Sequence, residues 1–540
     1  MDTFKNRAPA LGAIVFGSAM INYLESLQDK TKLRSDICIV GTGPAGITLA
    51  RQLIDSGLEV IILESGDFNF DPDIQKLYAG DIVENLPPVP LDVSRLRYFG
   101  GTSNHWDGSC GPLDHMDFRA RDWVPNSGWP MTRDELEPYY KKAQQLIGLG
   151  PYEYRSSVWN NKNWDLFNIA GTDIAHGMRQ SYPQRFGPVY EKDLKSAENV
   201  NVILHANLTE IRTNEALSHV TELEATALDG KSITIDAKNV VLACGGVENA
   251  RLLLAFGFGT KLPALGRYFN FHPHLMTGQL LLEKPIPYSR FPYRWHSING
   301  TKIMHHFLLS EQAQKRYNLP NHAVRIKETR LPNSKGYSAG KRIYQRFEGT
   351  RNFDHFTDDL YAVLSDLDGA YTQWENRFAE HQISLLEVET YLDQSPHPDS
   401  RILLSPNKDA LGMPRAKIDW AYADDEPARV KQFNEVLAKS FGAAGIGRMQ
   451  IADNLTDPVN FEKLVRERST GHHQIGATRI SENAESGVVD SNCRVHGFNN
   501  LFCAGSSVFS TASHMNPTTT IVALAARLAE HLRSYDEAMT

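Results

Sequence analysis

The chain of 540 residues is short of several things, and each shortage removes a class of protein. Cysteine is scarce: Cys38, Cys110, Cys244, Cys493 and Cys503 are scattered, odd in number and include no C-x-x-C pair. That spacing argues against a zinc site or an iron–sulfur cluster. Three of them, Cys38, Cys244 and Cys503, lie inside apolar runs, where cysteine behaves as a small hydrophobe. A reduced, cytoplasmic protein is therefore expected. Periplasmic or secreted location is the alternative, because "APALGAIVFGSAM" follows Lys5 and Arg7 in the outline of a signal peptide. That run is short, broken by glycines, and continues into "INYLESL", which reads as helix. No uninterrupted apolar stretch reaches the length of a membrane-spanning helix. Basic charge is not in excess: 56 Lys and Arg stand against 64 Asp and Glu, for a net charge of −8, so nothing points to nucleic acid. No internal repeat and no long low-complexity stretch occurs.

What is present is the composition of a globular protein, 41% hydrophobic and 22% charged, long enough for two large domains built from discontinuous segments. "SDICIVGTGPAGITLARQLIDSGLEVIILESG" reads as buried strand, glycine turn, helix and second buried strand, with Pro44 at the first helical turn and Gly57 at the helix end. Such a unit pairs its strands in parallel through a right-handed crossover. "NVVLACGGVENARLLLAFG" has the same grammar. "NLFCAGSSVFSTASHMNPTTTIVALAARLAEHL" reads as strand, long turn and a final helix from near Pro517. Between them, "ISLLEVETYLDQ" and "RAKIDWAY" alternate as half-buried strands, and "DEPARVKQFNEVLAKSFGAAG" is an amphipathic helix. Residues 111–190, rich in Trp, Tyr, Pro and Asn, read as irregular cover near a domain junction.

Three motifs carry chemistry. In "GTGPAG", Gly41, Gly43 and Gly46 have G-x-G-x-x-G spacing between a strand and a helix, and Glu64 ends the next strand 18 residues after Gly46. Glycines there let backbone approach a pyrophosphate, the helix N-terminus favours its charge, and Glu64 accepts hydrogen bonds from a ribose. The motif does not choose between NAD and FAD. In "RYFGGTSNHWDGSC", Gly100 and Gly101 permit close backbone approach, Thr102, Ser103 and Asn104 offer polar groups, and His105 and Trp106 present two rings; a loop lying along a flavin is the functional reading. Arg97 either neutralises a pyrophosphate or sits on an exposed face. In "SHMNPTTTIVALAARLAEHL", Asn516 and Pro517 precede a helix whose free N–H groups suit a reduced, anionic flavin ring.

In this order the three motifs resemble the glucose–methanol–choline oxidoreductases, over about residues 35–115, 195–265 and 465–540. "GGTSNHW" resembles the sugar-oxidising branch that includes pyranose oxidases and bacterial FAD-dependent glucose and fructose dehydrogenases. The resemblance implies an α/β (mixed α+β) fold: a Rossmann-like FAD-binding domain assembled from 33–110, 195–265 and 466–540. A substrate-binding domain on a largely antiparallel sheet, with cover segments, takes 111–194 and 266–465. It implies FAD, held by Gly41, Gly43, Ala45, Gly46, Glu64, Arg97, Gly101, Thr102, Ser103, His105, Gly505, Pro517 and Thr518, with covalent attachment at His105 an open option. It also implies an active-site pair near the C-terminus. The family's H-x-x-G pattern, laid on "GHHQIGATR", selects His473, three residues before Gly476, over His472. The second member is Asn516, ranked above His514. No metal is expected, since adjacent side chains diverge and no further ligand cluster adjoins the two histidines.

The implied reaction removes a hydride from an alcohol carbon to the flavin while His473, a neutral imidazole of pKa near 6.5, takes the proton and Asn516 orients the oxygen. The substrate is a sugar or glycoside; a non-sugar alcohol, or a catalytically silent flavoprotein scaffold, are the alternatives. The electron acceptor is O2, a quinone or a redox protein.

Overall fold

The structure, a computed structural model, describes residues 21–539 apart from 87–88, 160, 162–163, 165, 329–334, 348–355, 372–381, 454 and 469–470. The signal-peptide outline before residue 21 lies outside the described residues.

Two eight-stranded sheets organise the chain. The first runs, in spatial order, Ile21–Tyr23, Val200–Leu204, Val60–Leu63, Thr31–Val40, Ser232–Leu242, Val220–Thr226 and Asn207–Thr213, with Leu501–Cys503 paired along Ser232–Leu242. Its centre is parallel: Ile37–Val40 pairs with Val60–Leu63 on one side and Asn239–Leu242 on the other. Val60–Leu63 is buried at every position. Continuous branched apolar runs of this kind suit strands covered on both faces. Helices Pro44–Leu53, Arg133–Ile147 and Thr518–Met539 pack together beside this sheet.

The second sheet is antiparallel, in the order Gly447–Ile451, His274–Pro287, Gln382–Tyr391, Ala323–Glu328, Thr301–Leu309, Ile174–Ser181 and Ser109–Cys110, with His296–Ile298 added beside Thr301–Leu309. Leu280, Leu386, Val388 and Phe307 form its core with Phe433, Leu437 and Phe441 of the helix Glu426–Ala443. Those three helical residues recur at spacings of four, one stripe along the helix. Each buried side chain of this size contributes about 1.5–3 kcal/mol. A small third sheet joins Arg401–Lys408, Pro414–Asp419 and Asp81–Ile82.

Three segments differ from their sequence reading. "INYLESL" is strand Ile21–Tyr23 followed by a 3-10 turn Leu24–Ser26, because the parallel edge offered by Val202–Leu204 outweighs a helical propensity that so short a segment cannot realise alone. Residues 111–190 are not simply irregular. They hold helix Arg133–Ile147, opened by a Thr132–Glu135 capping box, and strand Ile174–Ser181, paired over eight positions with Lys302–Leu309. Finally, Gly57 does not cap its helix: the helix ends at Leu53, and Asp55 and Gly57 take positive φ in the turn beyond.

Candidate active site at the junction of the two sheets

The chain leaves three neighbouring parallel strands at Val40, Leu242 and Cys503 and turns through Gly41, Gly245 and Gly505, all at positive φ. Ligands of open α/β sheets bind outside such strand ends. A cavity of about 860 Å³ opens there and continues beneath the second sheet.

Glycine has distinct duties in this wall. A Cβ on Gly41 would lie 2.9 Å from the Ala243 carbonyl oxygen, and one on Gly46 would collide with the Gly41 carbonyl. These two close the turn and pack the helix. A Cβ on Gly43 would meet nothing within 4 Å, so its open side belongs to the cavity. Gly101 lies against it: a Cβ there would be 3.0 Å from the Gly43 Cα. The 100–105 loop is thus laid across the glycine turn. It is braced from below by Arg185, which donates to the Ser103 and Trp106 carbonyls at 3.0 and 2.6 Å. Thr102 and His105 are exposed on the cavity side.

Glu64 is buried and accepts from the Thr42 and Gly66 backbone N–H groups at 2.9 and 3.0 Å, and from the Thr42 hydroxyl. Arg97 is on the wall but not free. It donates to Ser65 Oγ at 2.6 Å and pairs with Glu248, which Arg95 and Arg251 also contact. Arg251 reaches Asp409 as well. Three guanidinium groups therefore share two carboxylates, and Glu248 is held ionised, its pKa pushed down to about 2 by those arginines against its burial. Glu64 adds a third carboxylate within electrostatic reach of Arg97, so the charges on this wall balance. Of the residues expected to touch a cofactor, Gly41, Gly43, Ala45, Glu64, Arg97, Gly101, Thr102, Ser103, His105, Gly505, Pro517 and Thr518 all line the cavity, and Gly46 stands behind it.

His473 and Asn516 line the same cavity from two separate loop segments. His473 meets two histidines that the sequence reading did not connect with it. Its Nδ1 is 2.9 Å from Nδ1 of fully buried His272, and the His274 ring centroid is 5.5 Å away. One ring nitrogen from each of the three lies within 4.8 Å of the others, which corrects the expectation that no cluster of potential ligands adjoins His473. The closest contact is an imidazole–imidazole hydrogen bond, which leaves the His473 Nε2 as the ring atom without that bond. His272 sits at φ 55° and His472 at φ 58°, a backbone region that side chains rarely adopt. Such outliers persist where surrounding structure over-determines them, as it does at working sites. The sequence trace of this cluster is "FHPHL", two histidines two apart, with His272 in the left-handed turn just before the strand that starts at His274.

Burial, with Arg179 and His472 nearby, lowers the His473 pKa to about 4, although Asp107 opposes the shift. The expected value near 6.5 is therefore corrected downward: the imidazole is neutral over a wider pH range. His472 also lines the cavity, but its charged form is disfavoured by burial and then by His105, so it belongs to the loop side. His514 is turned away. Its Nε2 is 3.1 Å from Asp114 Oδ2, inside a buried acidic network in which Ser513 donates to Asp393 and Asp117. Asn516, two residues later, faces the cavity and accepts from Arg179 Nη1 at 3.4 Å.

A cavity running from a glycine turn to a histidine cluster under a second, antiparallel sheet is a layout that suits an oxidoreductase. Comparison with known proteins sharpens that class. Residues 396–525 match the family model described as GMC oxidoreductase. The fructose dehydrogenase large subunit of Gluconobacter japonicus is 23% identical, over 92% of this chain and 97% of its own length. The 2-methyl-1,2-propanediol dehydrogenase of Mycolicibacterium austroafricanum is 22% identical, over 92% and 95%. Among solved structures, pyridoxine 4-oxidase from Mesorbium loti superposes with a TM-score of 0.54 at 17% identity, covering 92% of this chain and 98% of that one, a likeness of fold. The chain is thus similar to glucose–methanol–choline oxidoreductases, by the family model over residues 396–525 and by low-identity relatives over most of its length. No helix among the described residues is long and apolar enough to cross a membrane.

Proposed function

We propose that the protein is an FAD-dependent enzyme that oxidises a CH–OH group of a carbohydrate-like substrate, with His473 as the base and Asn516 orienting the alcohol oxygen. The observation that carries the reading is the hydrogen bond between His473 and His272 at 2.9 Å, beside the cavity that continues from the glycine turn. The residues suit FAD: Gly43 offers an open cradle, Glu64 has a carboxylate on the wall, and the Arg97 guanidinium lies beside them. We assign segments 33–110, 195–265 and 466–540 to the cofactor half and 111–194 and 266–465 to the substrate half.

Bound FAD supplies the hydride acceptor. The chain's residues do the rest. His473, neutral above about pH 4, takes the hydroxyl proton on its Nε2. In the tautomer this role requires, the His473 Nδ1–H donates to His272 Nδ1 and the His473 Nε2 lone pair is left for the proton. Arg179 binds the Asn516 carbonyl oxygen, which turns the Asn516 amide N–H₂ toward the alcohol oxygen. Half-buried Trp295 adds stacking surface suited to the C–H face of a sugar ring.

The test is anaerobic. The purified protein is yellow, and one member of a panel of sugars, glycosides and polyols bleaches it; a second addition of air or a quinone identifies the acceptor. Flavin that stays oxidised with every alcohol overturns the reading in favour of a scaffold. Acid precipitation bears on His105: a yellow pellet that becomes colourless in His105→Ala places the flavin bond there, and a colourless wild-type pellet with yellow supernatant makes the cofactor non-covalent.

A further inference from the structure

Arg179 is 1% exposed, yet it forms no ion pair with any described residue. Its guanidinium has five N–H donors. One reaches the His514 carbonyl at 2.7 Å and one the Asn516 carbonyl oxygen at 3.4 Å; both acceptors are neutral. Its Nε is buried with no partner at all. The plane lies over the Tyr391 ring, 4.0 Å from the centroid, which offers a cation a face but no counter-charge. Burying a guanidinium this way is expensive unless something pairs with it.

The surroundings do not repair the imbalance. Arg325 is on the same wall, and its Nε also lacks a partner. Glu389 is the carboxylate near it, 4.0 Å away, and Glu389 is simultaneously taken by Lys327 at 3.3 Å. His274, His306 and His473 face this corner, and burial keeps all three neutral at ordinary pH. Asp107 and Glu389 also line this end and act on Arg179 from a distance, but among the described residues neither carboxylate comes within ion-pair reach of it, so its guanidinium stays without a direct counter-charge beside the candidate base.

We propose that the substrate is an acidic alcohol, a hydroxylated carboxylate such as a uronic or aldonic acid, whose carboxylate pairs with Arg179 and Arg325 while its carbinol lies between His473 and Asn516. This rests on the function proposed above and narrows it from carbohydrates to sugar acids. A carboxylate supplies the missing counter-charge and accepts from the idle guanidinium N–H groups, in the planar geometry that arginine recognises best.

Matched pairs test it by stopped-flow flavin reduction: glucuronate against glucose, and glycerate against glycerol. The acidic member is expected to reduce the flavin with at least about tenfold higher efficiency, the scale of one charge-assisted hydrogen bond. Arg179→Gln should erase the preference and Arg179→Lys retain part of it. Because Arg179 also braces residues 514–516, Arg325→Gln at its partly exposed position repeats the comparison without that burden. Malonate and malonamide provide a readout free of turnover: malonate should perturb the bound flavin's absorbance and compete with substrate, and malonamide should do neither. Neutral members reacting as well as the acids, or malonate as silent as malonamide, overturn the inference. If no alcohol bleaches the flavin, the proposed function fails, and the malonate titration still decides whether this corner binds an anion.

Discussion

The glycine turn and the histidine cluster lie on one cavity but are built in opposite ways. The turn is local. Gly41, Gly43, Gly46 and Glu64 fall within one strand–helix–strand unit, and their roles follow from backbone rules that any such unit obeys. The cluster is remote. His272, His473, Asn516 and Arg179 come from four separate stretches, joined by hydrogen bonds spanning 201 and 337 residues. The proposed dinucleotide cradle can thus be read from a motif, whereas the proposed acid–base role depends on tertiary structure for its tautomer, its pKa and its charge.

The largest effect should come from the local side. Gly43→Val should abolish FAD binding without unfolding the chain, because the new side chain meets no protein atom within 4 Å at its Cβ and the backbone there has no positive φ. Near-ultraviolet circular dichroism and flavin absorbance check both halves of that statement. A folded variant with full flavin content would break the placement of the pyrophosphate.

His473→Ala comes next. It should keep FAD and fold, and slow flavin reduction by at least ~10²-fold, the usual scale of a lost general base. The pH profile separates this role from a structural one. Since burial holds the folded pKa at about 4, below the ordinary 6.5, the charged form is disfavoured in the native protein and the base form is present above about pH 4. The acid limb of the reduction rate should therefore fall near pH 4 in wild type and vanish in the variant. The same shift removes stability as pH drops from 6.5 toward 4, where the unfolded chain binds the proton more readily.

Asn516→Ala and His272→Ala should each cost roughly tenfold, because they remove orientation and one hydrogen bond while leaving the proton acceptor. For His272 the loss should sit in kcat with KM unchanged, and His272→Asn, which keeps an acceptor near the same place, should recover part of it. His472→Ala should change the rate by no more than a few-fold. Were His472→Ala the inactive variant, the choice between the adjacent histidines would be reversed.

Sequence alone made the glycine unit, the final helix and the layout of a parallel sheet beside an antiparallel one legible, because each depends on periodicity or on a turn that only certain residues can form. His473 was reachable through the H-x-x-G pattern. Its partners were not. Arg179 lies in "IAHGMRQS", a strand whose burial switches from half-covered to fully covered along its length and so shows no clean alternation. His272 owes its position to a left-handed backbone conformation that no propensity signals. The lowered pKa of His473 is a property of what surrounds the ring after folding, and no local window contains that information.

The pairing of Leu501–Cys503 with Val240–Leu242 has a consequence for biogenesis. During synthesis the first sheet acquires its strands from residues 21–63 and 200–242 and then waits while the ribosome makes more than half of the remaining chain. Until Leu501 emerges, one side of Val240–Leu242 has no neighbour, and Gly505, Asn516 and Pro517 do not yet exist to complete the cavity wall. The antiparallel sheet can collapse on its own contacts in that interval, since all of its strands end by Ile451. Cofactor capture is thus a late event for this protein, and flavin supplied at release from the ribosome acts as a ligand that locks the last strand home.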